Sequence, residues 1–224
     1  MAVRTYLAGT ELQGAAHFGA LAEQVEKSHQ APTPQARFTQ HRVYVIGAVM
    51  LAVGSLEGTI NELLGDAAEH PGGRAAQLPD GVRERLSCAS TLDSVDRAAV
   101  LDKYQVALLV AGKSGFDPGQ QPYQDAALLV RLRNALVHYR PEWTVTIGWE
   151  KEVEKLEKQL RGKFQVNPLT GAGNPFFPDR CLGSGCAKWS ATTAATYLNH
   201  FHERIGLPSP HSPIEGWLAG TPEP

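Results

Sequence analysis

LLVRLRNALVHYRPEW, residues 128–143, decides the fold, because its apolar residues recur at the three- and four-residue steps of an α-helix. When the segment is projected as a helix at about 100° per residue, one sector about 120° wide contains six of its residues: Leu128, Leu129, Leu132, Ala135, Leu136 and Tyr139. Such a sector is the core-facing side of a helix in a bundle. The pattern predicts a helix from about residue 123 to 139, ended by Pro141, which cannot continue it.

Five other segments carry helical patterns, separated by loops rich in glycine and proline. The helices are expected at about 10–29, 37–69, 95–112, 149–163 and 186–205, with a short extended piece at 144–147. In the 95–112 helix the expected core stripe is Val95, Ala99, Val106, Leu109 and Val110. The predicted fold class is all-α: a helical bundle with an N-terminal helical arm and a C-terminal helix plus irregular tail. Along the chain this gives an arm at 1–36, a helical bundle at 37–164, and a loop, helix and Pro-rich tail at 165–224.

Composition restricts the classes of function. The chain has 224 residues, 42% of them apolar, and a net charge of -2. This charge excludes an overall positive potential that would attract a polyanion, so any RNA contact needs a local basic patch. Residues 131–163 supply one, with eight basic and five acidic side chains. The longest uncharged apolar run, residues 43–56, is shorter than the ~20 residues of a membrane span. With three cysteines and no visible secretory signal, we expect a cytoplasmic protein that binds neither membrane nor DNA.

The decisive helix has a second, unusual face. Val130, Asn134 and Val137 lie roughly opposite the core sector, with Arg133 on one edge and His138 on the other, about 140° apart. Apolar residues rimmed by polar groups are typical of a surface that meets a second subunit, so we expect a homodimer. A guanidinium can hold a phosphate and an imidazole can move a proton, which together are suited to metal-free phosphodiester cleavage.

Arg133-Asn134 followed by His138 resembles the Arg, polar residue, then His motif of HEPN (higher eukaryotes and prokaryotes nucleotide-binding) proteins. SLEGTINELL (residues 55–64) and LDKYQVALLVAGKSGF (residues 101–116) are similar to the helices of bacterial members, and the resemblance covers residues 37–164. It implies an α-helical bundle that pairs two protomers around one cleft, with metal-independent ribonuclease activity in many members. It would assign catalysis to Arg133 and His138, assisted by Asn134. Because Arg131 also has a permitted spacing to His138, the choice of arginine stays open.

Two interpretations of function remain after this comparison. The first is a HEPN-type endoribonuclease in a bacterial defence or toxin–antitoxin system, with RNA as substrate and a cognate antitoxin protein as partner. The second is a non-catalytic helical module that binds RNA or a protein. No cofactor is expected, and a zinc site at Cys181, Cys186, His200 and His202 is disfavoured because residues two apart on a helix diverge by about 160°.

Overall fold

The structure is a computed structural model that describes residues 4–28, 33–69, 73–139 and 149–209. Its described residues form helices and no strand, which confirms the all-α class. The helices are α1 (Ala8–Lys27), α2 (Pro34–Glu69), α3 (Asp80–Ser90), α4 (Asp93–Asp96), α5 (Val100–Val110), α6 (Tyr123–Val137), α7 (Trp149–Leu160) and α8 (Ser184–Ile205). A 3-10 turn spans Arg74–Gln77 and a π-helical turn spans Phe176–Arg180. The extended piece predicted at 144–147 lies outside the described residues.

Helix α2 is the centre of the bundle. Its buried side includes Val45, Val49, Leu56 and Ile60, each with 0% of its surface exposed. Helices α1 and α8 pack against it and against each other, so the predicted arm and the predicted C-terminal segment both contribute to one hydrophobic core. By length and composition α2 could also cross a membrane, but half of its most apolar window is buried inside the protein.

The core stripe predicted for the 95–112 helix is right in part: Val95 is buried and Val106 and Val110 pack partly against the core, but Ala99 and Leu109 are exposed. That segment is two helices, α4 and α5, because the chain leaves the helical conformation between Asp96 and Val100 and the helical phase changes there. The buried residues of α5 are instead Val100, Leu101, Lys103, Tyr104, Ala107 and Leu108, whereas Leu109 is 74% exposed. A stripe drawn at 100° per residue holds only within one unbroken helix.

The loop 166–183 wraps the surface and supports α7. The backbone N–H of Asn167 donates to Arg180 O at 2.7 Å, and Phe176 and Phe177 are each 5% exposed. The N–H of Phe177 donates to Oε1 of Glu157 on α7 at 3.0 Å. These contacts, with the buried Leu156 and Leu160, hold α7 against the bundle.

Helix α8 begins against a carboxylate from another helix. Glu26 Oε1 on α1 accepts the backbone N–H of Ser184 at 2.6 Å and lies 2.8 Å from Nε2 of His41 on α2, while Oε2 accepts the Ser184 hydroxyl. The Glu26 side chain is 11% exposed, and Gly183 has no side chain to cap the helix. Burial by itself raises the pKa of Glu26, but the hydrogen bonds from His41 and Ser184 outweigh it and lower the pKa.

We expect Glu26→Gln to lower the free energy of unfolding by about 1–3 kcal/mol near pH 7, because an amide loses the charge-assisted bonds to His41 and Ser184. Since the folded-state pKa of Glu26 lies below the unfolded value, its stabilisation is complete above that value and is lost as pH falls through the folded pKa. Urea unfolding near pH 7 and in mild acid should show the gap between wild type and variant shrink in acid.

Glu23→Gln is the matched control, because Glu23 lies on the same helix and pairs with Lys27 and Lys188 at the surface. Such exposed ion pairs contribute about 0–1 kcal/mol. Equal losses of stability in the two variants would contradict a special role for the buried Glu26 carboxylate.

Candidate functional site

Helix α6 presents the candidate residues from a rigid base. On its core side Leu128 is 3% exposed and Leu129 and Leu132 are 0% exposed, as the sequence predicts. The helix ends at Val137, and the N–H of His138 makes the last helical hydrogen bond, to Asn134 O at 3.0 Å. His138 therefore leaves the helix with an exposed side chain at a backbone position fixed by α6.

A cavity of about 270 Å³ lies between α6 and α7, and we call it the His138 cavity. Helix α6 lines it with Arg131 and Asn134, and α7 lines it with Glu152 and Lys155. His138, the residue after α6, lines it as well. Ala135, Val153 and Leu156 complete the lining. The cavity thus combines an imidazole, an amide, two cations and one carboxylate beside an apolar surface.

Arg131 is held in this cavity by neutral partners. Its Nη1 donates to Oε1 of Gln159 on α7 at 2.7 Å, and its Nε donates to Ala127 O at 3.3 Å. Among the described residues no carboxylate lies within ion-pair distance of this guanidinium. The Arg131 charge is therefore held in place without an ion-pair partner, and together with Lys155 it gives the cavity two cations against the one carboxylate of Glu152, which suits an anionic ligand.

Arg133 faces the other way, towards α2. Its Nη2 lies 3.7 Å from Oε2 of Glu57, and its side chain is 28% exposed. Glu11 belongs to the same acidic surroundings, because burial first, and then the charges of Glu62 and Glu57, raise its pKa. A phosphate approaching Arg133 would meet this negative charge, and Arg133 does not line the His138 cavity.

Of the three site residues predicted from the sequence, the structure brings Asn134 and His138 to one cavity and places Arg133 outside it. Helical geometry explains the separation, since residues five apart differ by about 140° whereas Arg131 and His138, seven apart, differ by about 20°. That spacing was the signal in the sequence for Arg131. Lys155, Glu152 and Gln159 on α7 were missed, because their sequence pattern is that of any solvated helix face.

The second face of α6, which carries Val130 and Val137 and which we call the valine face, is partly open to solvent. Val137 is 54% exposed, while Val130 is partly buried against the core. Tyr139, predicted at the edge of the core sector, is 45% exposed because the helix has already ended before it. Its ring centroid lies 6.2 Å from that of Phe177. The exposed part of this face lies next to Asn134 and hence next to the His138 cavity.

The cysteines and histidines near α8 do not form a metal centre in the described part of the chain. No group of three or more His, Cys, Asp or Glu side chains there could hold a metal ion. Cys181 and Cys186 are buried thiols, and burial raises the pKa of Cys186 to about 12. His202 is 3% exposed, whereas His200 is on the solvent side of α8. Cys181, Cys186 and His202 are therefore part of the packing around α8.

The chain matches no protein-family model, no curated protein and no solved structure. What the His138 cavity does is therefore inferred from its own geometry and chemistry.

Proposed function

We propose that the protein is a metal-independent endoribonuclease of the HEPN type whose active site is the His138 cavity. The observation that carries the proposal is the shared cavity of Arg131, Asn134 and His138, in which the guanidinium has no carboxylate partner. The resemblance of the Arg-Asn-x3-His stretch to HEPN proteins supports it. As the setting we propose a bacterial defence or toxin–antitoxin system in the cytoplasm, with an antitoxin protein as partner.

The proposed reaction needs only the groups that line the cavity. His138 takes the proton of the RNA 2′-hydroxyl, and the 2′-oxygen attacks the neighbouring phosphorus. The bond from phosphorus to the 5′-oxygen breaks, and the imidazolium of His138 gives its proton to that oxygen, which yields a 2′,3′-cyclic phosphate and a 5′-hydroxyl end. Arg131 offsets the negative charge that develops on the phosphoryl oxygens. Asn134 orients the phosphate or the imidazole through its amide.

The test is cleavage of single-stranded RNA by the purified protein with and without EDTA. We expect equal rates in both conditions and products that end in cyclic phosphate, because every proton transfer and charge contact is assigned to side chains. Loss of activity in EDTA that magnesium restores would overturn the mechanism. A DNA strand of the same sequence is the control, since it lacks the attacking hydroxyl.

The exposed valine face supports a homodimer as the working form. Val137 is more than half exposed beside Asn134, and a symmetric contact through α6 would cover it. The two His138 cavities would then lie on either side of the paired helices. In such an isologous contact Arg133 also approaches the partner.

We expect Val137→Glu to give a folded monomer, because two carboxylates facing each other across the symmetry axis would be desolvated and repelled. Sedimentation at micromolar concentration measures the change in mass, and circular dichroism checks that the helices remain. Leu109→Glu, at a still more exposed position on α5, is the matched control and should stay dimeric. A monomeric wild type would contradict the dimer.

One observation favours a second function, a non-catalytic module that binds a protein or RNA. Ala135, Val153 and Leu156 give the His138 cavity an apolar lining that fits a partner's apolar side chain. The cleavage test separates the two functions, because a binding module leaves the RNA intact.

A further inference from the structure

A second cavity, of about 340 Å³, adjoins the His138 cavity along the same pair of helices. We call it the Gln124 cavity. Its lining includes Gln124, Ala127 and Arg131 on α6, Gln159 on α7, and Lys163 just beyond α7. Arg131 belongs to both cavities, so the two are neighbouring parts of one groove.

The groove follows a single stripe of α6. Gln124, Ala127, Leu128, Arg131, Asn134, Ala135 and His138 recur at steps of three and four residues. Helix α7 runs back along this stripe, because Gln159 contacts Arg131 and Lys163 contacts Asp125. The fifteen residues from Gln124 to His138 are separated by fourteen helical rises, which give the groove a length of about 21 Å, more than one nucleotide needs.

Where the two cavities meet, the cation without an ion-pair partner in the described part of the chain is Arg131, while Lys155 and Glu152 lie farther along, in the His138 cavity. Lys163 is neutralised by Asp125, with 2.7 Å between Nζ and Oδ1, whereas Arg131 is held by the amide oxygen of Gln159. A phosphate is therefore favoured at Arg131, between the two cavities, and uncharged parts of a ligand are favoured in the Gln124 cavity.

Two amides give the Gln124 cavity both a donor and an acceptor. Gln124 uses its Nε2 to donate to Gly119 O at 2.6 Å, which leaves its Oε1 as an acceptor. Gln159 uses its Oε1 to accept from Arg131, which leaves its Nε2 as a donor. A donor and an acceptor on opposite walls match the edge of a nucleobase in single-stranded RNA.

We propose that the Gln124 cavity holds the nucleoside on one side of the scissile phosphate, with its base hydrogen-bonded by Gln124 and Gln159. The proposal rests on the proposed function, since the phosphate bound by Arg131 is the one that is cut. The groove thus selects the base beside the cut, and Gln159 is a positioning residue that fixes Arg131 while contacting that base.

The test blocks the Gln124 cavity without touching the groups that react. Ala127→Phe fills the cavity from α6, and Gln124→Ala removes the amide acceptor from an exposed position. The probe is a single-stranded RNA of about ten nucleotides in which every 2′-hydroxyl is replaced by fluorine, so that the attacking hydroxyl is absent and the strand cannot be cut. Each substitution should weaken its Kd about fivefold to tenfold, as expected when one base loses its contacts. Leu109→Phe, on the exposed side of α5, should leave the Kd unchanged.

A second readout is the base preference of cleavage in an RNA pool of random sequence. Wild type should prefer certain bases on one side of the cut, and both variants should lose that preference while still cutting. Unchanged Kd and unchanged preference in both variants would overturn the groove proposal and leave the ribonuclease proposal standing. Binding that depends on Ala127 and Gln124 without any cleavage would leave the groove as a binding site and overturn the ribonuclease proposal. Absence of both binding and cleavage would overturn both the groove proposal and the ribonuclease proposal.

Discussion

We expect His138→Ala to lower the rate of RNA cleavage by about 10²- to 10⁴-fold, the range typical of a lost general acid or base. The imidazole stands where α6 ends, so its backbone position is set by the hydrogen bond to Asn134 O, and alanine keeps that bond. The side chain is exposed, so the free energy of unfolding of the variant should lie within about 0.5 kcal/mol of the wild-type value. Single-turnover cleavage and urea unfolding of the same preparation measure both quantities.

His200→Ala is the matched control for this prediction. His200 is also an exposed histidine, 49% accessible, on the solvent side of α8 where it faces Glu203 at 3.8 Å. Its loss should leave cleavage unchanged. If His138→Ala cuts RNA at the rate of wild type, the proton transfer does not belong to the His138 cavity and the proposed function is wrong.

Helix α6 shows how much of the fold the sequence can predict. The periodicity places Leu128, Leu129 and Leu132 in the core, and all three are buried. Tyr139 follows the same periodicity but is exposed, because the helix ends two residues earlier and the projection no longer applies. Periodicity therefore predicts burial well inside a helix and fails at its ends and at breaks such as that between α4 and α5.

The candidate site shows the complementary limit. The sequence places Arg131, Arg133 and His138 on one helix, but which arginine shares a cavity with the histidine depends on where α7 and α2 lie. Pairing of helices is a long-range property, and nothing in residues 149–163 indicates that Gln159 contacts α6 while Glu57 on α2 takes Arg133. Both arginines are candidates from the sequence, and only the packing of the helices shows which one lies in the cavity with His138.

We expect Arg131→Ala to lower cleavage by about 10²- to 10³-fold, the loss typical when one preorganised donor to a developing negative charge is removed. Arg131→Lys should also be poor, because an ammonium cannot reproduce two parallel hydrogen bonds to a phosphate and cannot reach Gln159 in the same geometry. Arg133→Ala should change cleavage by less than about threefold, since it removes an ion pair to the half-exposed Glu57 and no group of the cavity. Rates under single-turnover conditions compare the three variants directly.

The reverse order of effects would have a definite structural meaning. If Arg133→Ala is the more damaging change, the assignment drawn from the Arg133-Asn134 stretch is correct, and Arg133 must exchange Glu57 for the substrate phosphate. In the proposed dimer this exchange would take place at the contact between the two α6 helices, so Val137→Glu should then cause the same loss as Arg133→Ala. If Arg131 is the working arginine, every reacting group lies within one protomer. A monomeric Val137→Glu variant then loses only the part of the activity that depends on the dimer contact holding α6 and α7 in place. Measuring Arg131→Ala, Arg133→Ala and Val137→Glu side by side therefore distinguishes a site within one chain from a site shared between two.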